Sequence, residues 1–129
     1  MNGALLDTSV LIADARDAAS VLPASAAISV VSVGELHAGV RLAKDPAIAE
    51  ARRRRLVRVR AAFTAFPVDD TVAERYGDVL AVARTEGRIV KATDLLIIAT
   101  AAATGRELVT LDDAQRRLAE AAGVRSSGT

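Results

Sequence analysis

The sequence predicts an α/β fold, with a central, mainly parallel sheet flanked by helices on both faces. Three observations carry that expectation. Short apolar runs of strand length alternate with longer segments of helical period. The helical segments bring their own start and stop signals. Finally, 129 residues with 51% hydrophobic content suit one globular domain, residues 1–129, with no room for a second.

Taken in order, Ala4, Leu5 and Leu6 form a short buried strand, and residues 8–15 the helix that follows it. Residues 27–31 are compact and rich in β-branched side chains, and make the second strand. Ser32-Val33-Gly34-Glu35 then has capping-box spacing ahead of Leu36, Val40 and Leu42, which starts a helix there. Pro46 suits the first turn of a long helix with the apolar stripe Ile48, Leu56, Val59 and Phe63, ending near Pro67. Thr71-Val72-Ala73-Glu74 opens another, with Val72, Tyr76, Val79, Leu80 and Ala83 on one face and Gly87 as its stop. Residues 94–104 are apolar nearly all round, so that helix should be central and buried, and Gly105 closes it. Residues 107–110 form a strand and residues 112–122 a helix. Val124 and Arg125 make a last edge strand before the Ser126-Ser127-Gly128 tail frays.

Composition removes several classes of function. No apolar stretch reaches membrane-spanning length, and Asp7 breaks the first apolar run too early for a signal peptide, so a soluble, cytoplasmic protein is expected. Cysteine is absent, which rules out a disulfide framework, a thiolate nucleophile and a Cys-based zinc site. His37 is the only histidine, so paired-histidine acid–base catalysis is excluded and His37 itself fits a helix surface. No GxxxxGK[ST] loop supports P-loop nucleotide binding. Ser9 stands where a phosphatase with an aspartyl nucleophile would need a second acid. A phospho-accepting signalling domain would need Lys91 at a strand end, and Lys91 precedes a helix instead.

Four acids stand out by position. Parallel sheets bind ligands outside the carboxyl ends of their strands. Asp7 and Asp112 follow strands, and Glu35 lies one turn beyond another. Asp94 joins them only if its helix points its N-terminus at the same edge. Singly, each acid also fits a helix cap or capping-box arm worth about 1 kcal/mol. Jointly, four carboxylates at one edge repel one another and require a cation. Asp113 rivals Asp112 for the fourth place, Asp69 and Asp70 begin a helix, and Asp14, Asp17 and Asp45 fit solvated surface. With oxygen ligands only, the expected ion is Mg²⁺, held by one or two carboxylates with water and substrate phosphate around it. Hydrolysis of a phosphodiester asks for such an ion. Asp7 and Asp94 are the expected direct ligands. Glu35 and Asp112 are left to act through water, to orient the nucleophile or to hold a second ion.

The segments Leu5-Leu6-Asp7-Thr8-Ser9-Val10-Leu11-Ile12, Val33-Gly34-Glu35-Leu36-His37-Ala38-Gly39-Val40, Thr93-Asp94-Leu95-Leu96-Ile97-Ile98-Ala99-Thr100-Ala101 and Leu108-Val109-Thr110-Leu111-Asp112 resemble, in order and spacing, the PIN-domain ribonucleases. Within that family the likeness is to VapC-type toxins of bacterial toxin–antitoxin pairs, and it covers essentially the whole chain. The resemblance implies a five-stranded parallel sheet and an Mg²⁺-dependent endoribonuclease, with Mn²⁺ as an alternative ion. It implies that Asp7, Glu35, Asp94 and Asp112 bind the metal and perform catalysis, with Thr8 and Thr110 as polar support. It also implies a VapB-type antitoxin as partner, and a homodimer. The departure lies at the fourth acid, where family members often carry Asn or place the acid a few residues later. The competing expectation is a fold of this kind that no longer cleaves and serves as an RNA- or protein-binding module.

Net charge is only +1, yet Arg52, Arg53, Arg54, Arg55, Arg58 and Arg60 crowd one short stretch. That run fits contacts to an RNA backbone, and equally a solvated helix face. Aromatics make up 2%, so bases have no stacking platform and recognition should rest on phosphates and shape. A carboxylate cluster also attracts arginine, which gives an inhibitor a way to block it. The helices after Glu35 and along Leu56 to Phe63 are the expected groove for that inhibitor.

Overall fold

A computed structural model of the chain describes residues 3–13 and 25–128. Its elements are β1 (Ala4–Leu6), α1 (Thr8–Leu11), β2 (Ala26–Ser29), α2 (Val30–Arg41), α3 (Pro46–Ala62) and β3 (Ala65–Phe66). They continue with α4 (Asp70–Thr85), α5 (Ala92–Thr104), β4 (Glu107–Val109), α6 (Asp113–Ala121) and β5 (Ser126–Ser127). The five strands lie in the order β3-β2-β1-β4-β5, and every neighbouring pair is parallel.

The period of two along each strand divides the core between the two faces of the sheet. Leu5, Ala27 and Leu108 point to one face, where they pack with Val79, Leu95, Ile98 and Leu118 from α4, α5 and α6. Ala4, Leu6, Ile28 and Val109 point to the other, against Val10, Val33, Leu36, Leu56 and Val59 from α1, α2 and α3. Each fully buried Leu or Ile contributes roughly 1.5–3 kcal/mol of transfer free energy. That is how a sheet of three- and four-residue central strands is held. The two edge strands have two residues each, which leaves little unpaired backbone to recruit another chain.

The strand order reverses beside β1. The chain runs outward through β2 and β3, then returns to lay β4 and β5 on the other side of β1. The crevice between the carboxyl ends of β1 and β4 is therefore the topological switch point, where open sheets of this kind bind ligands. Helix α5 feeds β4 through Gly105 and Arg106 alone, so it must run antiparallel to the strands. Gly105 makes that reversal at φ 65°, in the left-handed region that favours glycine. The N-terminus of α5 consequently lies at the same edge as the ends of β1 and β4.

Several expected boundaries move. β2 ends at Ser29 and α2 begins at Val30, because the Ser29 side chain caps the helix by accepting from the Val31 N–H at 3.0 Å. Ser32 is then inside the helix, and the Ser32–Glu35 capping box does not form. Residues 65–66 form the strand β3, which the sequence reading passed over. Its Ala65 and Phe66 are only half-buried, so no apolar alternation marks it. The last strand is Ser126–Ser127 rather than Val124 and Arg125. Val124 packs instead into the core, and the polar pair expected to fray completes the sheet beside β4. On α3, Leu56 and Val59 are buried as expected, while Ile48 is exposed. Helix α1 is observed over Thr8–Leu11 with Ile12 as its C-cap, so it stops short of the expected 8–15; residues 14 and 15 of that expectation, and Asp17, lie outside the described residues.

Candidate active site

Asp7 stands directly after β1 and is 5% exposed. Its carboxylate is held by two hydroxyls, both on the same oxygen. Thr110 Oγ1 donates to Oδ2 at 2.7 Å and Ser9 Oγ donates to Oδ2 at 2.8 Å. Each hydroxyl is itself fixed by an amide of the loop after β4. Leu111 N–H donates to Ser9 Oγ and Asp112 N–H to Thr110 Oγ1, both at 3.0 Å. Together with the bond from Asp7 N–H to the Val109 carbonyl, these lace the ends of β1 and β4 across the switch point. Among the described residues no side-chain hydrogen bond reaches Asp7 Oδ1. No buried side-chain polar atom among the described residues lacks a partner, so Oδ1 keeps contact with solvent.

Glu35 sits in the second turn of α2 and receives a hydrogen bond from Thr8 Oγ1 at 2.6 Å. A hydroxyl carries one proton, so Thr8 accepts in turn from Ser32 Oγ at 2.8 Å. Ser32 is fully buried, and the chain Ser32–Thr8–Glu35 pins α2 to α1.

Asp94 lies in the first turn of α5, and its side chain makes no capping bond. Burial pushes its carboxyl above the ordinary carboxylate range. The nearby Lys91 charge pulls it back, and Asp7, Glu35 and Asp112 push it up further. The three other predicted acids are therefore close enough for their charges to be felt at Asp94. Asp112 is the N-cap of α6, where one oxygen accepts from the Ala114 and Gln115 amides at 2.9 and 3.1 Å. Buried Gln115 ties α6 to α5 through its bond to the Asp94 carbonyl at 3.0 Å.

Helix capping thus accounts for one acid of the four. Asp7 precedes α1 without a side-chain cap bond, Glu35 lies inside its helix, and Asp94 caps nothing. The rival Asp113 is an exposed residue paired with Arg116, and it is not among the charges that act on Asp94. Asp69 caps α4, and Asp45, though on the surface, caps α3. His37 is exposed on α2. The four acids share one region without closing on one point. Among the described residues no group of three or more His, Cys, Asp or Glu side chains is arranged to hold a metal ion. Like charges at this range repel, and Asp7, Glu35 and Asp112 are each engaged by a neutral hydroxyl or amide donor.

Two supporting residues escaped the sequence reading. Ser9 stands two residues after Asp7, where a hydroxyl is well placed to bond back to the carboxylate. Gln115 carried no local signal, since its partner is 21 residues away. Thr110 is fully buried and holds two groups at once. Thr110→Val should cost about 1–3 kcal/mol in urea unfolding, because it strips a donor from Asp7 and an acceptor from the Asp112 amide. Thr110→Ser, which keeps the hydroxyl and loses one methyl, should cost only about 0.8 kcal/mol. Equal losses for the two variants would show that packing rather than the hydrogen bonds matters at this position.

A parallel α/β domain with a carboxylate-rich crevice at its switch point defines a class of protein, and comparison with known proteins narrows it. Residues 4–121 match the PIN domain family model. Ribonuclease VapC8 of Mycobacterium tuberculosis is 41% identical over 100 residues, spanning 75% of this chain and 88% of that protein. Among solved structures, VapBC-5 from Mycobacterium tuberculosis, a member of the VapBC family of toxin-antitoxin systems, superposes with a TM-score of 0.87 at 32% identity, covering 100% of both chains. FitAcB from Neisseria gonorrhoeae does so with a TM-score of 0.77 at 26% identity, covering 95% of this chain and 94% of that one. The chain belongs to the PIN-domain family. No helix among the described residues is long and apolar enough to cross a membrane.

Proposed function

We propose that this chain is an endoribonuclease dependent on a divalent cation, and the toxin of a type II toxin–antitoxin pair. The observation that carries the reading is the placement at one switch-point edge of Asp7, held by Ser9 and Thr110 at the end of β1, and Asp94, in the first turn of α5. Identity of 41% to a protein named as a ribonuclease supports RNA as the substrate. The structural likeness to members of toxin–antitoxin complexes supports a VapB-type antitoxin as partner. We assign a cytoplasmic place of action, where RNA is reached, a homodimeric state, and one nuclease domain over residues 1–129.

The donor set fits a hard cation. It offers carboxylates and hydroxyls with no thiol, the chemistry that suits Mg²⁺ or Mn²⁺. Asp7 and Asp94 are assigned as direct ligands, with Glu35 and Asp112 acting through water or on a second ion. When bound, such an ion neutralises phosphate charge and makes the attacking water more acidic. The rest falls to the chain itself. Ser9 and Thr110 hold Asp7 by Oδ2, which leaves Oδ1 for a ligand. Thr8 fixes Glu35 by Oε1, which leaves Oε2 to orient the attacking water. Lys91 favours the ionised form of Asp94 against the cost of burial, as a ligand must be deprotonated.

Purified protein incubated with structured and single-stranded RNAs should cleave with Mg²⁺ or Mn²⁺ and stop with chelator. Cleavage that survives chelation would remove the cation from the reading. RNA retained without cleavage under either ion would place the chain among the non-cleaving binding modules.

A further inference from the structure

The structure sets apart two pairs within the arginine run of α3. Arg53 and Arg54 both bind Glu50, Arg53 at 2.6 Å to Oε1 and 3.0 Å to Oε2, Arg54 at 3.2 Å to Oε1. These two are surface side chains, 58% and 71% exposed, that share one carboxylate on their own helix. Arg52 and Arg55 turn toward α2 instead. They line a groove of about 450 Å³ with Thr8, Ile12, Glu35, Leu36 and Gly39. Thr8 and Glu35 also belong to the carboxylate crevice, so the groove opens from the candidate site.

We propose that Arg52 and Arg55 grip a phosphate of the RNA strand next to the one being cleaved. The proposal rests on the ribonuclease reading and names how the substrate is held. Arg52 Nη1 donates to the Gly39 carbonyl at 2.8 Å, which fixes the guanidinium and uses one of its five N–H donors. Arg55 is half-buried, and among the described residues it has neither a hydrogen bond nor an ion-pair partner. With no such partner among them, the Arg55 guanidinium keeps all its N–H donors for an anion entering the groove, and planar guanidinium forks match phosphate oxygens. The groove's acidic end beside its cationic wall suits a strand with one phosphate in the crevice and a neighbouring one on the arginines. Ile12 and Leu36 give that strand's sugars an apolar wall, consistent with a chain that lacks an aromatic platform.

The test compares Arg52→Gln/Arg55→Gln, Arg55→Gln alone, Arg52→Lys/Arg55→Lys and Arg53→Gln/Arg54→Gln on a synthetic single-stranded RNA with Mn²⁺, between about 50 and 200 mM salt. The double Gln variant should raise KM by about tenfold or more, with kcat nearly unchanged. It should also flatten the slope of log affinity against log salt by about 0.7, the share of one single-strand phosphate contact. The Lys pair should keep the slope, and the Arg53/Arg54 pair should match wild type throughout. Arg55→Gln breaks no internal contact, so its KM reads the groove even where loss of the Arg52–Gly39 tie weakens folding. Unchanged KM and slope in a wild type that cleaves would overturn the grip and leave the nuclease standing. Unchanged RNA terms with lost binding of an oligoglutamate peptide would overturn it in favour of a protein-docking groove. A wild type inert on RNA would sink both readings together.

Discussion

Asp94→Asn and Asp7→Asn should each abolish RNA cleavage, by at least about a hundredfold in kcat/KM, the upper end of what losing a mere supporting partner of a metal ligand costs. Both substitutions keep the shape of the side chain and remove its charge. A site whose work is electrostatic loses its function under that change, whereas a site that only caps helices does not. The pair should be far from additive, because residues that serve one ion act as a unit. Asp7→Asn carries the larger risk to folding, since Thr110 and Ser9 both donate to its carboxylate. A neutral amide keeps only an oxygen acceptor for them. Asp94→Asn is the cleaner variant, because its side chain makes no capping bond. Asp113→Asn is the control, as that residue pairs with Arg116 on the surface. Equal cleavage by wild type, Asp7→Asn and Asp94→Asn would remove the catalytic assignment.

The layered fold was legible in the chain because burial on both faces writes itself into short strands. Leu5 and Leu6 are adjacent, apolar and fully buried, one on each side of the sheet. A two-residue edge strand leaves no such record. Ala65 and Phe66 are half-buried, and Ser126 and Ser127 are polar, so both strands are set by pairing with β2 and β4 rather than by local pattern. The positions of three acids follow element junctions, with Asp7 after β1, Asp94 in the first turn of α5 and Asp112 capping α6, while Glu35 lies a turn inside α2. Their partners were not legible. Thr110 lies 103 residues from Asp7, and Ser32 lies 24 from Thr8. The division of the arginines was hidden for the same reason. Sequence shows six in a cluster, and only packing against α2 separates the two that face the groove from the two held by Glu50.

Asp94→Asn should melt above wild type at neutral pH without divalent ions, although it abolishes activity. Burial first, and then the charges of Asp7, Glu35 and Asp112, raise the Asp94 carboxyl above its ordinary value of 3.8. A carboxyl raised in the folded state holds its proton more tightly folded than unfolded. Stability therefore falls as pH climbs from that ordinary value through the raised one, and the full cost is present above it. Below pH 4 or so both forms of the chain carry a neutral group at this position, so the two melting curves should converge there. The advantage of Asn should open as pH rises and then level off. Asp94 is partly solvated, so screening keeps the effect modest. Salt should trim only the part due to neighbouring charges, because burial is the largest cause and is not screened. A saturating divalent ion should reverse the order. At about 100 times its Kd, Mn²⁺ adds roughly 2.7 kcal/mol to a protein that binds it only when folded. Wild type should gain that increment and Asp94→Asn should not. If Asp94→Asn melts below wild type at pH 8 without metal, the carboxylate stabilises the fold. The crevice would then be a structural junction rather than a charged site kept at the expense of stability.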